Sequence, residues 1–296
     1  MAINSVSGSL CRSVLSVPSI NSRALKKVSV LDCDAVIFDL EDSVAPERKA
    51  EARDNLSAFF QETPRAGLHT IIRINALDSE FGHEDMALVL EAWPDAVLIP
   101  KVEHVSDIQA VAGMLEDAGS GRNIAIWAMI ETPKGVLNAA TIATADKKLG
   151  CLVVGLNDLR KATGVLPQPG RSYLVPWLMQ ILLVGRAHDL DVIDSVFNDF
   201  QDAEAFEAEC AQARAMGFDG KMLIHPAQIE AANRHFAPDP QAVQKAEGIV
   251  AAFAAPGTET LNVINLNGKM VERLHLVEAE KLLAAARLIA ERQRKD

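Results

Sequence analysis

No pair of cysteines in this chain stands in a CxxC spacing. The four, Cys11, Cys33, Cys151 and Cys210, are scattered. That excludes a small disulfide scaffold and argues against a zinc centre, and it leaves buried free thiols as the expected state. No apolar run approaches a membrane span, and MAINSVSGSL lacks the charged, apolar and cleavage regions of a secretory signal. A cytoplasmic protein without a membrane partner is therefore expected. Positive charge is also short, with 29 Lys+Arg against 40 Asp+Glu and a formal charge of -11. This weighs against non-specific nucleic-acid binding, although a few local arginines can still hold a phosphate-bearing ligand. No GxGxxG follows an early strand, since LSVPSINSR (15–23) is all that stands there. Internal repeats and low-complexity tracts are missing too.

What is present is an alternation of short apolar runs with helical patterns across 296 residues. Strands are read at SVLSV (13–17), AVIFDL (35–40), HTIIRI (69–74), DAVLIP (95–100), NIAIWAMI (123–130), CLVVG (151–155), DVIDSV (191–196) and the approach to MLIHP (222–226). Helices are read between them, among others at 47–60, 105–119 and 202–217, the last with Gly217 as its stop. Eight such units, with strands too apolar to be half exposed, predict an α/β fold closed as a (β/α)8 TIM barrel. An open doubly wound sheet is the alternative. Beyond HP (225–226) come a helix near 238–255, a break at Pro256–Gly257, the apolar LNVINLNGKM (261–270) and a final helix near 275–292. The expected division is a barrel over 1–256 and a C-terminal segment over 257–296, which composition leaves open as simple packing, a helical lid or an oligomerisation segment.

Barrel enzymes work at the C-terminal ends of their strands. By that criterion strand two offers Asp39, Glu41 and Asp42, strand three Arg73 and Asn75, and strand four Lys101 and Glu103. Strand five offers Glu131, strand six Asn157 and Asp158, strand seven Asp194, and strand eight His225. Glu131 and Asp158 lie about one βα unit apart, so they belong to neighbouring strand ends. Two carboxylates converging there need a cation or a proton between them. With no cysteine or histidine cluster nearby, oxygen ligands favour Mg²⁺ over zinc. The residues leave a second reading equally open, in which they make a structural ion pair or Asp158 caps the helix near Leu159. Arg73 reads equally as a barrel salt bridge and as a clamp on a carboxylate or oxyanion. The FDLED acids read equally as an outer layer orienting Arg73 or metal-bound water. His225 divides between a satisfied core histidine and a base, while Cys151 and Met129 read as packing.

The ordered set RSVLSVPSINSRALKK, AVIFDLEDSVAPE, IIRIN, LIPKVE, AMIETPKGVLNA, VVGLNDL, GFDGKMLIHPAQIEAANR and GKMVERLHLVEAEKLL resembles the citrate lyase beta-subunit-like branch of the HpcH/HpaI aldolase superfamily. That branch includes malyl-CoA and citramalyl-CoA lyases, and the resemblance spans nearly the whole chain. It implies a barrel with a C-terminal extension, in a trimer or hexamer whose extension closes a neighbour's site. It also implies Mg²⁺, with Mn²⁺ as a substitute, on Glu131 and Asp158, and Arg73 on the enolate and the acid's carboxylate. Arg23 and Lys27 would meet the CoA phosphates, and Glu41, Asp42 and Lys101 would support. The chain departs from the family with PSI where PGS is common, and with Asn267 in place of a frequent aspartate. Glu272 stands where the lyases carry a lid aspartate within GKMID, one methylene farther out.

The implied reaction is reversible cleavage of a 3-hydroxyacyl-CoA thioester, of malyl-CoA or citramalyl-CoA type. It gives acetyl-CoA or a homologue and a 2-oxoacid, with Glu272 transferring the carbon proton. The alternatives are hydrolysis of malyl-CoA, a citrate lyase beta subunit serving an acyl-carrier partner, a non-catalytic CoA-ester binder, and an aldolase for free 2-oxoacids.

Overall fold

The computed structural model describes residues 10–62, 68–119, 123–258 and 260–293. Eight parallel strands close on themselves in chain order. They are β1 (Ser13–Pro18), β2 (Ala35–Asp39), β3 (His69–Arg73), β4 (Ala96–Ile99), β5 (Ala125–Ile130), β6 (Leu149–Val154), β7 (Asp191–Asp194) and β8 (Gly220–Leu223). Closure is made by β1 pairing with β8 at Val14↔Met222. Alternate residues turn inward, so Val14, Ile37, Ile71, Leu98, Trp127, Val153, Ile193 and Met222 belong to one packed core. Their neighbours Val36, Ile72, Val97, Ile126, Leu152 and Val192 are equally buried on the other face. Burial on both faces is why these segments read as unbroken apolar runs. The four cysteines are free and buried.

The connecting helices are α1 (Ser22–Lys27), α2 (Lys49–Glu62), α3 (Gly82–Ala92), α4 (Val105–Asp117), α5 (Pro133–Ile142), α6 (Leu156–Thr163), α7 (Val175–Ala187), α8 (Ala203–Met216) and α9 (Ile229–Phe236). Local chemistry starts and stops them where expected. Thr132 caps α5 by accepting the Gly135 N–H at 3.0 Å, with Pro133 at the first helical position. Asp202 does the same for α8, which Gly217 ends.

The chain divides into two compact units at His235/Phe236. The second holds α10 (Pro240–Phe253), a hairpin of β9 (Val263–Leu266) and β10 (Lys269–Glu272), and α11 (Arg273–Gln293). Its own core joins Ala246, Ile249 and Phe253 of α10 to Val271, Ala279 and Leu282. Because α10 packs with α11, the units part well before the Pro256–Gly257 break. The hairpin turns through Asn267 and Gly268, whose φ values are 55° and 78°. Two successive left-handed residues are what a two-residue type I′ turn requires, and Asn-Gly meets that need at least cost. Asn267 is thus a turn residue. Together the elements make a (β/α)8 barrel with a C-terminal helical extension.

Candidate active site

The inward positions at the C-terminal strand ends bring the sequence-selected residues together. Asp39 ends β2 and Arg73 ends β3, paired in register. Their side chains form a two-point bridge, Nε to Oδ1 and Nη2 to Oδ2, both 2.7 Å. Burial pushes the Asp39 carboxyl up, but the guanidinium charge and its hydrogen bonds outweigh this and hold it below the ordinary value. The remaining Arg73 nitrogen, Nη1, lies 3.2 Å from Glu41 Oε2 and 3.7 Å from Met129 Sδ. Asp39 therefore fixes the fork and leaves one nitrogen aimed along the rim. Glu41 is buried, its carboxyl raised by desolvation against the pull of Arg73 and Lys101. It is joined by the Lys101 ammonium, which also stands 3.4 Å from Asp42.

Lys49, which sequence reasoning passes over, and Asn75, which it selects for another role, hold this acidic loop. The buried Lys49 ammonium pairs with no carboxylate among the described residues. It donates to the carbonyls of Leu40 and Glu41 at 2.7 and 2.8 Å, and to Asn75 Oδ1 at 2.8 Å. Asn75 in turn donates to Leu40 O and to the buried Asp85. Asn75 is thus a scaffold residue, and a lysine inside a helical pattern carries no local sign of such a task.

Glu131 follows β5 and is 2 % exposed. Its Oε1 accepts the backbone N–H of Lys101 at 2.8 Å. Lys101 offers that N–H from a left-handed backbone, φ 49°, so one strained residue serves Glu131 by its main chain and Glu41 by its side chain. Glu131 packs directly over Gly155, where an added Cβ would come within 2.4 Å of Glu131 Cβ and 2.5 Å of Oε2. Gly155 is also the residue before α6, and Asp158 is the third residue of that helix. Helix α6 therefore begins before Asp158, which rules out the capping role that the sequence leaves open. The half-buried Asp158 carboxylate makes no hydrogen bond or ion pair among the described residues.

Burial pushes Glu131 up to about 8, partly offset by the Lys101 N–H and the charges of Arg73 and Lys101. Even with Glu131 protonated, Asp39, Glu41, Asp42 and Asp158 outnumber Arg73 and Lys101, so this rim holds more negative charge than those two cations balance. No group of three or more His, Cys, Asp or Glu side chains is placed to hold a metal among the described residues. A site of two carboxylates, completed by water and ligand oxygens, nevertheless fits Mg²⁺, which keeps several such positions open. The donor set does not fit zinc.

The other candidates fall elsewhere. Arg23 and Lys27 are exposed on α1, four residues apart and so on one side of it. Glu103 turns to Lys134. Asp194 faces out of the barrel, bound by the Arg171 guanidinium and the fully buried Lys221 ammonium at 2.7–2.9 Å. His225 accepts the Ala227 N–H and stacks on Phe200, with centroids 4.4 Å apart. Glu272 lies in the second unit, at the end of β10, where its N–H donates to His275 Nδ1 at 2.9 Å. No described helix is long and apolar enough to cross a membrane.

Comparison with known proteins gives a consistent result. The family described as HpcH/HpaI aldolase/citrate lyase matches residues 12–226. A (3S)-malyl-CoA thioesterase of Cereibacter sphaeroides is 44% identical over 279 residues, covering 94% of this chain and 95% of that protein. Citrate lyase subunit beta of Escherichia coli is 34% identical over 283 residues, covering 94% and 93%. The crystal structure of CitE from Mycobacterium tuberculosis with magnesium, acetoacetate and coenzyme A aligns with a TM-score of 0.73 at 25% identity. That alignment covers 95% of this chain and 99% of the other.

Proposed function

The chain belongs to the HpcH/HpaI aldolase/citrate lyase family, and from that membership we propose that it is a Mg²⁺-dependent thioesterase acting on (3S)-malyl-CoA or a close 3-hydroxyacyl-CoA. The observation that carries this reading is the end-to-end identity of 44% with the (3S)-malyl-CoA thioesterase, against 34% with the citrate lyase subunit. It moves hydrolysis ahead of the carbon–carbon cleavage that the sequence motifs put first.

Glu131 and Asp158 would hold the metal, which when bound supplies positive charge to the hydroxyl and distal carboxylate oxygens of the acyl group. Arg73, clamped by Asp39, would direct Nη1 at the thioester oxygen and stabilise the charge that develops on it. Water adds to the thioester carbon, the C–S bond breaks with its electron pair on sulfur, and the thiol leaves with a proton. The products are the free hydroxy acid and CoA. Glu41 and Lys101 would keep Arg73 and Glu131 in place. The exposed Arg23 and Lys27 suit the CoA phosphates, and to Glu272 we assign proton transfer, on its sequence position. The trimer or hexamer belongs to the same proposal, and light scattering tests it; an acyl-carrier partner belongs to the citrate lyase alternative, and copurification tests that.

The deciding experiment incubates the protein with malyl-CoA and citramalyl-CoA, with and without Mg²⁺, and resolves all products by mass. Metal-dependent free CoA with intact hydroxy acid supports the thioesterase. Acetyl-CoA with glyoxylate or pyruvate restores the lyase. No turnover of either ester overturns both.

A further inference from the structure

Helix α6 also walls a cavity of about 580 Å³. Its other walls are the Gln168–Arg171 segment, Val196–Asp199 and one side of α8. A balanced charge cluster braces these walls. Arg171 and Lys221 pair with Asp194 and Glu209, and Gln212 joins Arg171 to the Gly170 carbonyl.

Arg160 also lines the cavity and stands outside that cluster. Its Nε is buried with no hydrogen-bond partner, and no carboxylate pairs with its guanidinium among the described residues. Arg160 as a residue is half-buried, so the Nε–H alone is cut off from water, and an anion entering the cavity would meet a guanidinium that no protein carboxylate neutralises among the described residues. Asn157, three residues earlier on α6, exchanges hydrogen bonds of 3.2 and 2.8 Å with Asn198 from the opposite wall. Leu156, Val196 and Phe197 add apolar lining. Asp199, on the same lining, uses Oδ1 to accept the Gln201 N–H, and its charge disfavours a highly charged ligand.

From this juxtaposition we propose a small-carboxylate binding site, with the acid's carboxylate on the Arg160 fork and its carbon chain against the apolar wall. Two helix positions from Asp158, Arg160 projects roughly 160° away around α6. The site is therefore separate from the metal-binding rim and independent of which ester reaction that rim performs.

Butyrate tests this, because it is a monocarboxylate with an apolar chain and lacks both hydroxyl and thioester. Calorimetric titration of the full chain in EDTA should show one equivalent bound. Arg160→Gln should weaken binding more than tenfold, while Asp158→Asn leaves it within twofold of the parent. Arg160→Gln should melt no lower than the parent without butyrate, since the Nε it removes has no partner. Ala208→Leu, at an exposed position on the cavity wall, narrows the space without removing the charge and should also weaken binding. Absence of saturable binding to the parent protein overturns the proposal. So does binding that survives both Arg160→Gln and Ala208→Leu.

Discussion

Glu131 combines deep burial with a proton affinity raised to about 8. An unfolded glutamate ionises near 4.5, so below that pH both states hold the proton and burial costs nothing extra. Between 4.5 and about 8 the unfolded chain ionises first, and stability falls as pH rises. Each tenfold difference in proton affinity between the two states is worth about 1.4 kcal/mol. Metal-free protein should therefore lose melting temperature across that window, and Glu131→Gln should flatten the slope. A parent protein whose melting temperature stays level from about pH 5 to 8 would contradict this. At Asp39 the expectation is kinetic. Asp39→Asn removes one charge from the clamp on Arg73 and should lower kcat/KM about 100-fold, the scale on which a misplaced catalytic group fails. Steady-state rates on the accepted ester check it. Of these residues, Glu131, Arg73 and the FDLED acids are legible in sequence because strand ends expose them to that inference. Lys49 is not, because its partners are backbone carbonyls made available only by the fold.

At the scale of elements, the join between β6 and α6 has the least room. Gly155→Ala would place a Cβ inside the contact radius of Glu131. Overpacking of this kind costs about 1–3 kcal/mol. Here it also displaces the carboxylate, so Mg²⁺ affinity measured by calorimetry should fall more than tenfold. The eight strands are readable because each is buried on both faces, and their structural bounds differ from the apolar runs only at the ends. The hairpin is absent from the sequence expectations, although its signal is present. Asn267–Gly268 between short apolar stretches is a strong turn signature, and comparison of chemical side chains alone overlooks it. Asp158 also shows how a boundary misleads. Starting α6 three residues late turns an unbonded carboxylate into an apparent cap.

Across the whole molecule, the buried cluster of Asp194, Arg171, Lys221 and Glu209 ties β7, β8, α8 and the segment before α7 together. Burial would raise Asp194, but the charges of Lys221 and Arg171 prevail and hold its carboxyl low. Asp194→Ala would leave two buried cations short of a partner and should cost about 3–5 kcal/mol in denaturant unfolding. No sequence spacing announces this cluster, since its members come from four separate segments and meet only when the barrel closes. Closure has one more consequence. A cylinder of strands offers nothing for another chain to extend, and among the described residues the open sheet edges belong to β9 and β10 alone. Each is four residues long, with Lys269 placing a charge at the turn end. Edges this short, one of them charged at both ends, resist templated stacking, so aggregation on gentle heating should wait for the barrel itself to open.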